Sequence, residues 1–129
     1  MKERLVEEAL EARENAYAPY SEFRVGAAIL TETGNIYRGC NVENASLGAT
    51  ICAERGAAMS AVAAEGRVRF KAIAIASSSE EPAPPCGMCR QFLSEFMGPD
   101  APVYLVSSVS GTVKEYSFGS LMPLMFTEF

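Results

Sequence analysis

Phe70-Lys71-Ala72-Ile73-Ala74-Ile75-Ala76 is apolar at every position but one. A strand with one wet face alternates apolar and polar residues, so a nearly unbroken apolar run predicts a strand covered by protein on both faces. Helices are then needed on both sides of its sheet. Toward the C-terminus, residues 77–85 form a stiff polar loop rich in Ser and Pro. A helix follows over 86–97, with Cys89, Phe92, Leu93 and Phe96 at i, i+3, i+4 and i+7 as its buried stripe. An apolar strand at 103–106, a turn at Gly111 and a weaker strand at 112–117 complete that half. The tail, 121–126, is apolar with Pro123 interrupting it.

Toward the N-terminus, the run is preceded by a helix expected over 50–64, with Thr50 as its N-cap. Its body, from Gly56 to Ala63, is small and apolar on almost every side, which marks a buried helix, and Gly66 is a natural C-terminal cap. Residues 41–46 are a polar loop of Asn, Glu and Ser. Strands at 23–30 and 36–40 flank the turn Thr31-Glu32-Thr33-Gly34-Asn35 and predict a hairpin. Residues 2–15 read as an amphipathic helix, ended where Pro19 disfavours helical backbone before it. The order is helix, hairpin, helix, strand, helix, strand, strand. Crossovers imply parallel pairing and the hairpin antiparallel pairing. The expected fold is α/β: three α/β/α layers around a mixed five-stranded sheet, as one domain over 1–129. Ligand sites in such sheets gather at strand ends that lead into helices.

Composition narrows the function. A net charge of −5 argues against a nucleic-acid partner, because phosphate binding needs clustered Lys and Arg. The N-terminus lacks the apolar core of a signal peptide, and no apolar run approaches the ~20 residues of a membrane span. The expectation is a cytoplasmic protein with no membrane attachment. Four cysteines in that setting indicate metal or catalysis more than disulfides. The chain has no histidine, so imidazole serves neither as ligand nor as base.

Two motifs carry the chemistry: Thr50-Ile51-Cys52-Ala53-Glu54-Arg55 and Pro85-Cys86-Gly87-Met88-Cys89-Arg90. Both lie where a strand gives way to a helix. Cys52, Cys86 and Cys89 are three soft ligands, which select zinc or iron–sulfur over hard cations. Helix N-termini lower thiol pKa and favour the thiolate that binds metal. Arg55 and Arg90 are placed to offset the charge of three thiolates. Zinc with three protein ligands keeps a fourth position for water, whose pKa falls toward ~7. Glu54 is the available base. One geometric condition applies: residues i and i+2 of a regular helix point in nearly opposite directions, so Cys52 and Glu54 share a site only if the backbone at Cys52 departs from helix.

Cys52-Ala53-Glu54-Arg55 with Pro85-Cys86-Gly87-Met88-Cys89-Arg90-Gln91 resembles the zinc-dependent cytidine deaminases, in their small homotetrameric three-cysteine form. Residues 17–21, 23–28 and 39–45 and the tail resemble further signatures of that family in the same order, so the resemblance covers nearly the whole chain. It implies one Zn²⁺ per subunit on Cys52, Cys86 and Cys89, with Glu54 shuttling protons during hydrolytic attack at C4 of a pyrimidine. It implies ribose contacts from Asn41 and Glu43, packing of Phe23 on the nucleoside, and base contacts from the backbone at Ala53. It also implies that Phe126 enters a neighbouring subunit's site. Leu47-Gly48 departs from the commoner aromatic at that place. The implied reaction is deamination of cytidine and 2′-deoxycytidine, in pyrimidine salvage.

Three alternatives stand beside this reading. Cys40 as a fourth ligand would close the zinc and make the chain a structural zinc-binding module. A related cytosine nucleoside, such as a nucleoside antibiotic, would change the substrate but not the chemistry. On the residues alone, Asn41 and Glu43 serve equally well as loop caps.

Overall fold

The computed structural model describes residues 1–127. Helix α1 spans Lys2–Arg13, and the hairpin is β1, Val25–Thr31, with β2, Ile36–Cys40. After a 3-10 turn at Leu47–Ala49 come α2, Ala53–Glu65, and β3, Phe70–Ser77. Helix α3, Gly87–Leu93, leads to β4, Pro102–Ser107, β5, Val113–Ser117, and a short α4, Phe118–Leu121. The strands form one five-stranded sheet in the order β2-β1-β3-β4-β5. β1 is antiparallel to both β2 and β3, β3 and β4 are parallel, and β4 and β5 are antiparallel. The α2 crossover therefore joins two strands running the same way, β2 and β3, with β1 inserted between them. Parallel pairing itself is confined to β3 and β4.

The apolar run in β3 is buried on both faces. Ile73 and Ile75 enter a core with Ala57, Ala61, Leu93, Leu105 and Phe118, whereas Ala72, Ala74 and Ala76 enter one with Leu5 and Ala9. α1 thus covers one face, and α2, α3 and α4 the other. Helix-to-sheet distances are set by glycines. A Cβ at Gly39 would lie 2.2 Å from the Ala57 nitrogen and 2.4 Å from the Ala53 oxygen. One at Gly26 would lie 2.2 Å from the Ala9 oxygen. β2 and β1 therefore run close against the backbones of α2 and α1.

Two helix boundaries and one added helix are the main departures from the sequence expectation. α2 begins at Ala53 with Cys52, not Thr50, as its N-cap. The cause is a two-bond bridge in which Val42 N donates to Ile51 O at 2.9 Å and Ile51 N to Val42 O at 3.0 Å, holding the chain extended up to Cys52. α3 stops at Leu93 and does not reach Met97. Phe70 N donates to Phe96 O at 3.0 Å, and a bridge joins Phe70 to Met97, so the segment turns along the edge of the sheet. The expected stripe changes accordingly: Cys89, Leu93 and Met97 are buried, Phe96 stacks on Phe70 with centroids 4.9 Å apart, and Phe92 is exposed. Helix α4 has no counterpart in the sequence expectation. It is held by its buried Phe118 and by Ser117 Oγ, which accepts from Ser120 N.

Candidate active site

The site forms where the chain enters α2 and α3. Cys52 and Cys86 are the N-caps of these helices and share one extended conformation, φ −73° and ψ 154° for Cys52 and φ −68° and ψ 164° for Cys86. Gly56 N and Arg90 N each donate, at 3.0 Å, to the carbonyl of the capping cysteine. Neither thiol caps its own helix, so neither sulfur is committed to the backbone N–H groups of the first turn. Cys89, on the first turn of α3, completes the group. The three sulfurs lie within 4.8 Å of one another and form the one cluster among the described residues that could hold a metal ion. Tetrahedral zinc with Zn–S bonds of ~2.3 Å needs sulfurs about 3.8 Å apart, so this donor set fits the ion with little movement. Cys40 ends β2 opposite Gly26 and stands outside the cluster.

The extended backbone at Cys52 removes the i, i+2 conflict. Glu54 sits in the first turn of α2, 5 % exposed, in the same cavity wall as Cys52. Burial raises its pKa above the ordinary carboxylate value, and the charge at Cys52 adds to that rise. The thiols divide their proton affinity unequally. The hydrogen bond from Cys89, aided by Arg55, pushes Cys52 down to about 5 despite its burial. Cys89, as donor and as a buried group, is pushed up. Arg55 Nη2 donates to Cys52 Sγ at 3.5 Å and to Thr50 O at 3.3 Å. Arg90 is engaged differently. Its Nε and Nη1 each donate at 2.8 Å, to the carbonyls of Pro85 and Leu121, so the guanidinium–sulfur bond of this site is made by Arg55.

A cavity of about 300 Å³ opens beside the sulfurs. Cys52, Ala53, Glu54 and Cys86 line one end, and Asn41 and Glu43 line it as well. Phe23, 38 % exposed, forms part of its wall. The side chain of Asn41 braces β1, accepting from Val25 N at 2.9 Å and donating to Phe23 O at 2.8 Å. Glu43 accepts from Tyr20 N at 2.9 Å and Ser21 N at 3.1 Å, as well as from Ser21 Oγ. These bonds, that of the Ser21 hydroxyl foremost, hold its carboxyl below the ordinary range. Asn41 and Glu43 are thus loop braces and cavity-lining groups at once. Phe126 lies outside this cavity, 60 % exposed, with its carbonyl accepting from Gln91 Nε2 at 2.8 Å.

Ser21, Val25, Ile75, Ser77, Ala83 and Pro84 line the cavity without having been singled out in the sequence. For Val25 and Ile75 part of the signal was available, since strand alternation groups Ile75 with Ile73 and Val25 with Ala27 on one face, which the structure turns toward α2. Ser77 is the polar end of an apolar strand, and its buried Oγ has no hydrogen-bond partner.

Three convergent thiols beside a buried carboxylate, set at helix N-termini on a three-layer α/β/α domain, define a zinc-dependent hydrolytic deaminase domain. Residues 1–105 match the family model described as "Cytidine and deoxycytidylate deaminase zinc-binding region", and the chain belongs to that family. It is 46 % identical over 126 residues to a cytidine deaminase of Sporosarcina psychrophila, covering 98 % of this chain and 91 % of that one. It is 47 % identical over 123 residues to one of Halalkalibacterium halodurans, covering 95 % and 92 %. The crystal structure of cytidine deaminase from Burkholderia pseudomallei superposes with a TM-score of 0.91 at 47 % identity, covering 98 % of this chain and 99 % of that one. No helix among the described residues is long and apolar enough to cross a membrane.

Proposed function

We propose that this chain hydrolyses cytidine and 2′-deoxycytidine to uridine and 2′-deoxyuridine with release of ammonia. The observation that carries the reading is the shared cavity: Cys52, Cys86 and the buried Glu54 border it together with the polar pair Asn41 and Glu43. Cys52, Cys86 and Cys89 hold one zinc ion, which supplies Lewis-acid activation of water near neutral pH. Arg55, bonded to Cys52 Sγ, offsets part of the thiolate charge, and Arg90 adds positive charge nearby while fastening Pro85. Glu54 takes the proton that water loses on attacking C4 of the base. It delivers that proton to the ring nitrogen and then carries the proton of the new C4 hydroxyl to the amino group, so that the C4–N bond breaks as ammonia leaves and a carbonyl remains at C4. A carboxyl buried at this depth binds a proton more readily than an exposed one, which suits a group that must both accept and return it.

The first N–H groups of α2 have no partner within the helix, so the backbone at Ala53 can donate to the base carbonyl. Glu43 retains accepting capacity for sugar hydroxyls, and the Asn41 amide nitrogen retains a second hydrogen beyond the one given to Phe23 O. Phe23 packs on the nucleoside. Phe126, exposed and not part of the lining of its own cavity, reaches the site of a neighbouring chain in a homotetramer. The single domain 1–129 works on small molecules in the cytoplasm, and its acidic charge keeps nucleic acid away. The test is a spectrophotometric assay with cytidine on zinc-quantified protein, with product identification. Uridine and ammonia in equal amounts support the reading, and zinc-loaded protein inert toward both nucleosides refutes it.

A further inference from the structure

Glu43 could point its carboxylate in many directions at the cavity mouth, and one side chain fixes it. Ser21 Oγ donates to Glu43 Oε2 and accepts from Phe23 N at 3.0 Å, so one hydroxyl joins the carboxylate to the backbone of the aromatic wall. The other carboxylate oxygen is pinned by Tyr20 N and Ser21 N. Glu22 holds this turn in the left-handed region, φ 59°, with its N–H donating to Ala18 O at 2.9 Å. The two loops are also joined by backbone bonds, with Tyr17 N donating to Asn41 O at 2.9 Å and Glu43 N to Tyr17 O at 2.8 Å. We propose that Ser21 is a positioning residue for sugar recognition, setting the orientation of Glu43 relative to Phe23 so that the sugar hydroxyls of the nucleoside meet a prealigned acceptor. This rests on the reading of Glu43 as a sugar-binding group.

The prealignment has a selective signature. Without the Ser21 hydroxyl, the two backbone N–H groups still hold one carboxylate oxygen, while the other is free to turn into solvent. The loss falls on substrates that present hydroxyls to Glu43 and spares those that do not. The experiment compares kcat/KM for cytidine and 2′,3′-dideoxycytidine in wild type, Ser21→Ala, Ser21→Thr and Glu43→Gln, each with measured zinc content. Ser21→Ala should lower kcat/KM for cytidine about tenfold, chiefly through KM, the size expected for one hydrogen bond to a charged group. The dideoxy substrate should change by less than about twofold, and Ser21→Thr, which keeps the hydroxyl, should restore cytidine turnover. Equal losses on both substrates, or no loss on cytidine while Glu43→Gln discriminates between them, overturn the role of Ser21. Glu43→Gln that treats both substrates alike overturns the sugar-binding reading itself, and the proposal with it.

Discussion

Replacing Gly39 by Ala tests how the fold positions the chemistry. The added Cβ would stand 2.2 Å from the Ala57 nitrogen, 2.4 Å from the Ala53 oxygen and 2.8 Å from the Gly56 carbonyl carbon, where ordinary contact begins at 3.4 Å. All three atoms are backbone of α2, so no side chain can swing aside. Relief requires α2 to move off β2 by on the order of 1 Å, and α2 carries Glu54 and the Cys52 cap. Overpacking of this kind costs about 1–3 kcal/mol of stability. A displacement of that size at a catalytic constellation costs about a hundredfold in rate. Gly56→Ala is the control on the same helix. Its nearest neighbour would be 3.6 Å away, and removing an interior helical glycine should stabilise by up to about 1 kcal/mol. Gly26→Ala clashes equally hard, at 2.2 Å from the Ala9 oxygen, but against α1 on the opposite face. It should lower stability while sparing turnover per zinc-loaded folded molecule. Denaturant unfolding together with zinc-normalised kcat/KM separates the three variants. Wild-type stability and activity in Gly39→Ala, or a greater loss in Gly56→Ala, would refute the reasoning.

Other outcomes follow from the same structure. Cys40→Ser should leave zinc content and turnover unchanged, because Cys40 stands outside the sulfur cluster, and loss of metal would reveal a closed four-thiolate site. Stripping zinc with a chelator should abolish turnover but leave the far-ultraviolet circular dichroism largely intact, since neither apolar core includes a metal-binding cysteine. Re-addition of zinc should restore activity. At the far end of α2, Glu65 accepts from Thr31, Thr33 and Asn35, bonds that contribute, with Thr33 foremost, to bringing its pKa down from 4.5 to about 2. A carboxylate with a depressed folded pKa stabilises fully above its unfolded value and loses that contribution as pH falls toward the folded one. The difference in Tm between wild type and Glu65→Gln should therefore be widest near neutrality and shrink between pH 4.5 and about 2. A difference independent of pH would contradict it.

Much of the layered arrangement is legible because β3 has almost no polar residue and α2 almost none in its body; both require cover. Strand neighbours were less so. The pattern shows that β2 and β3 run the same way, but insertion of β1 between them is a long-range choice that periodicity does not encode. The start of α2 went astray for a similar reason. Thr50 is the better capping residue by local preference, yet the bridge from Val42 to Ile51, nine residues apart in sequence, holds the chain extended to Cys52. That same bridge makes a shared site for Cys52 and Glu54 possible, so the local rule failed where the chemistry needed it to. The thiols and Glu54 were legible because their chemistry is specific. Ser21 and Ser77 were not, since serines in loops and at strand ends are common and only the folded arrangement shows what they face.

The central claim is that Glu54 moves protons beside a metal held by three thiolates. Its most direct test is turnover of cytidine by Glu54→Gln at measured zinc stoichiometry. The amide keeps the size of the side chain and leaves the sulfur cluster complete, so the variant should bind one zinc per chain while kcat falls by about 10²–10⁴, the range for loss of a general acid–base group. Near-normal turnover in a variant with full zinc content would contradict the account.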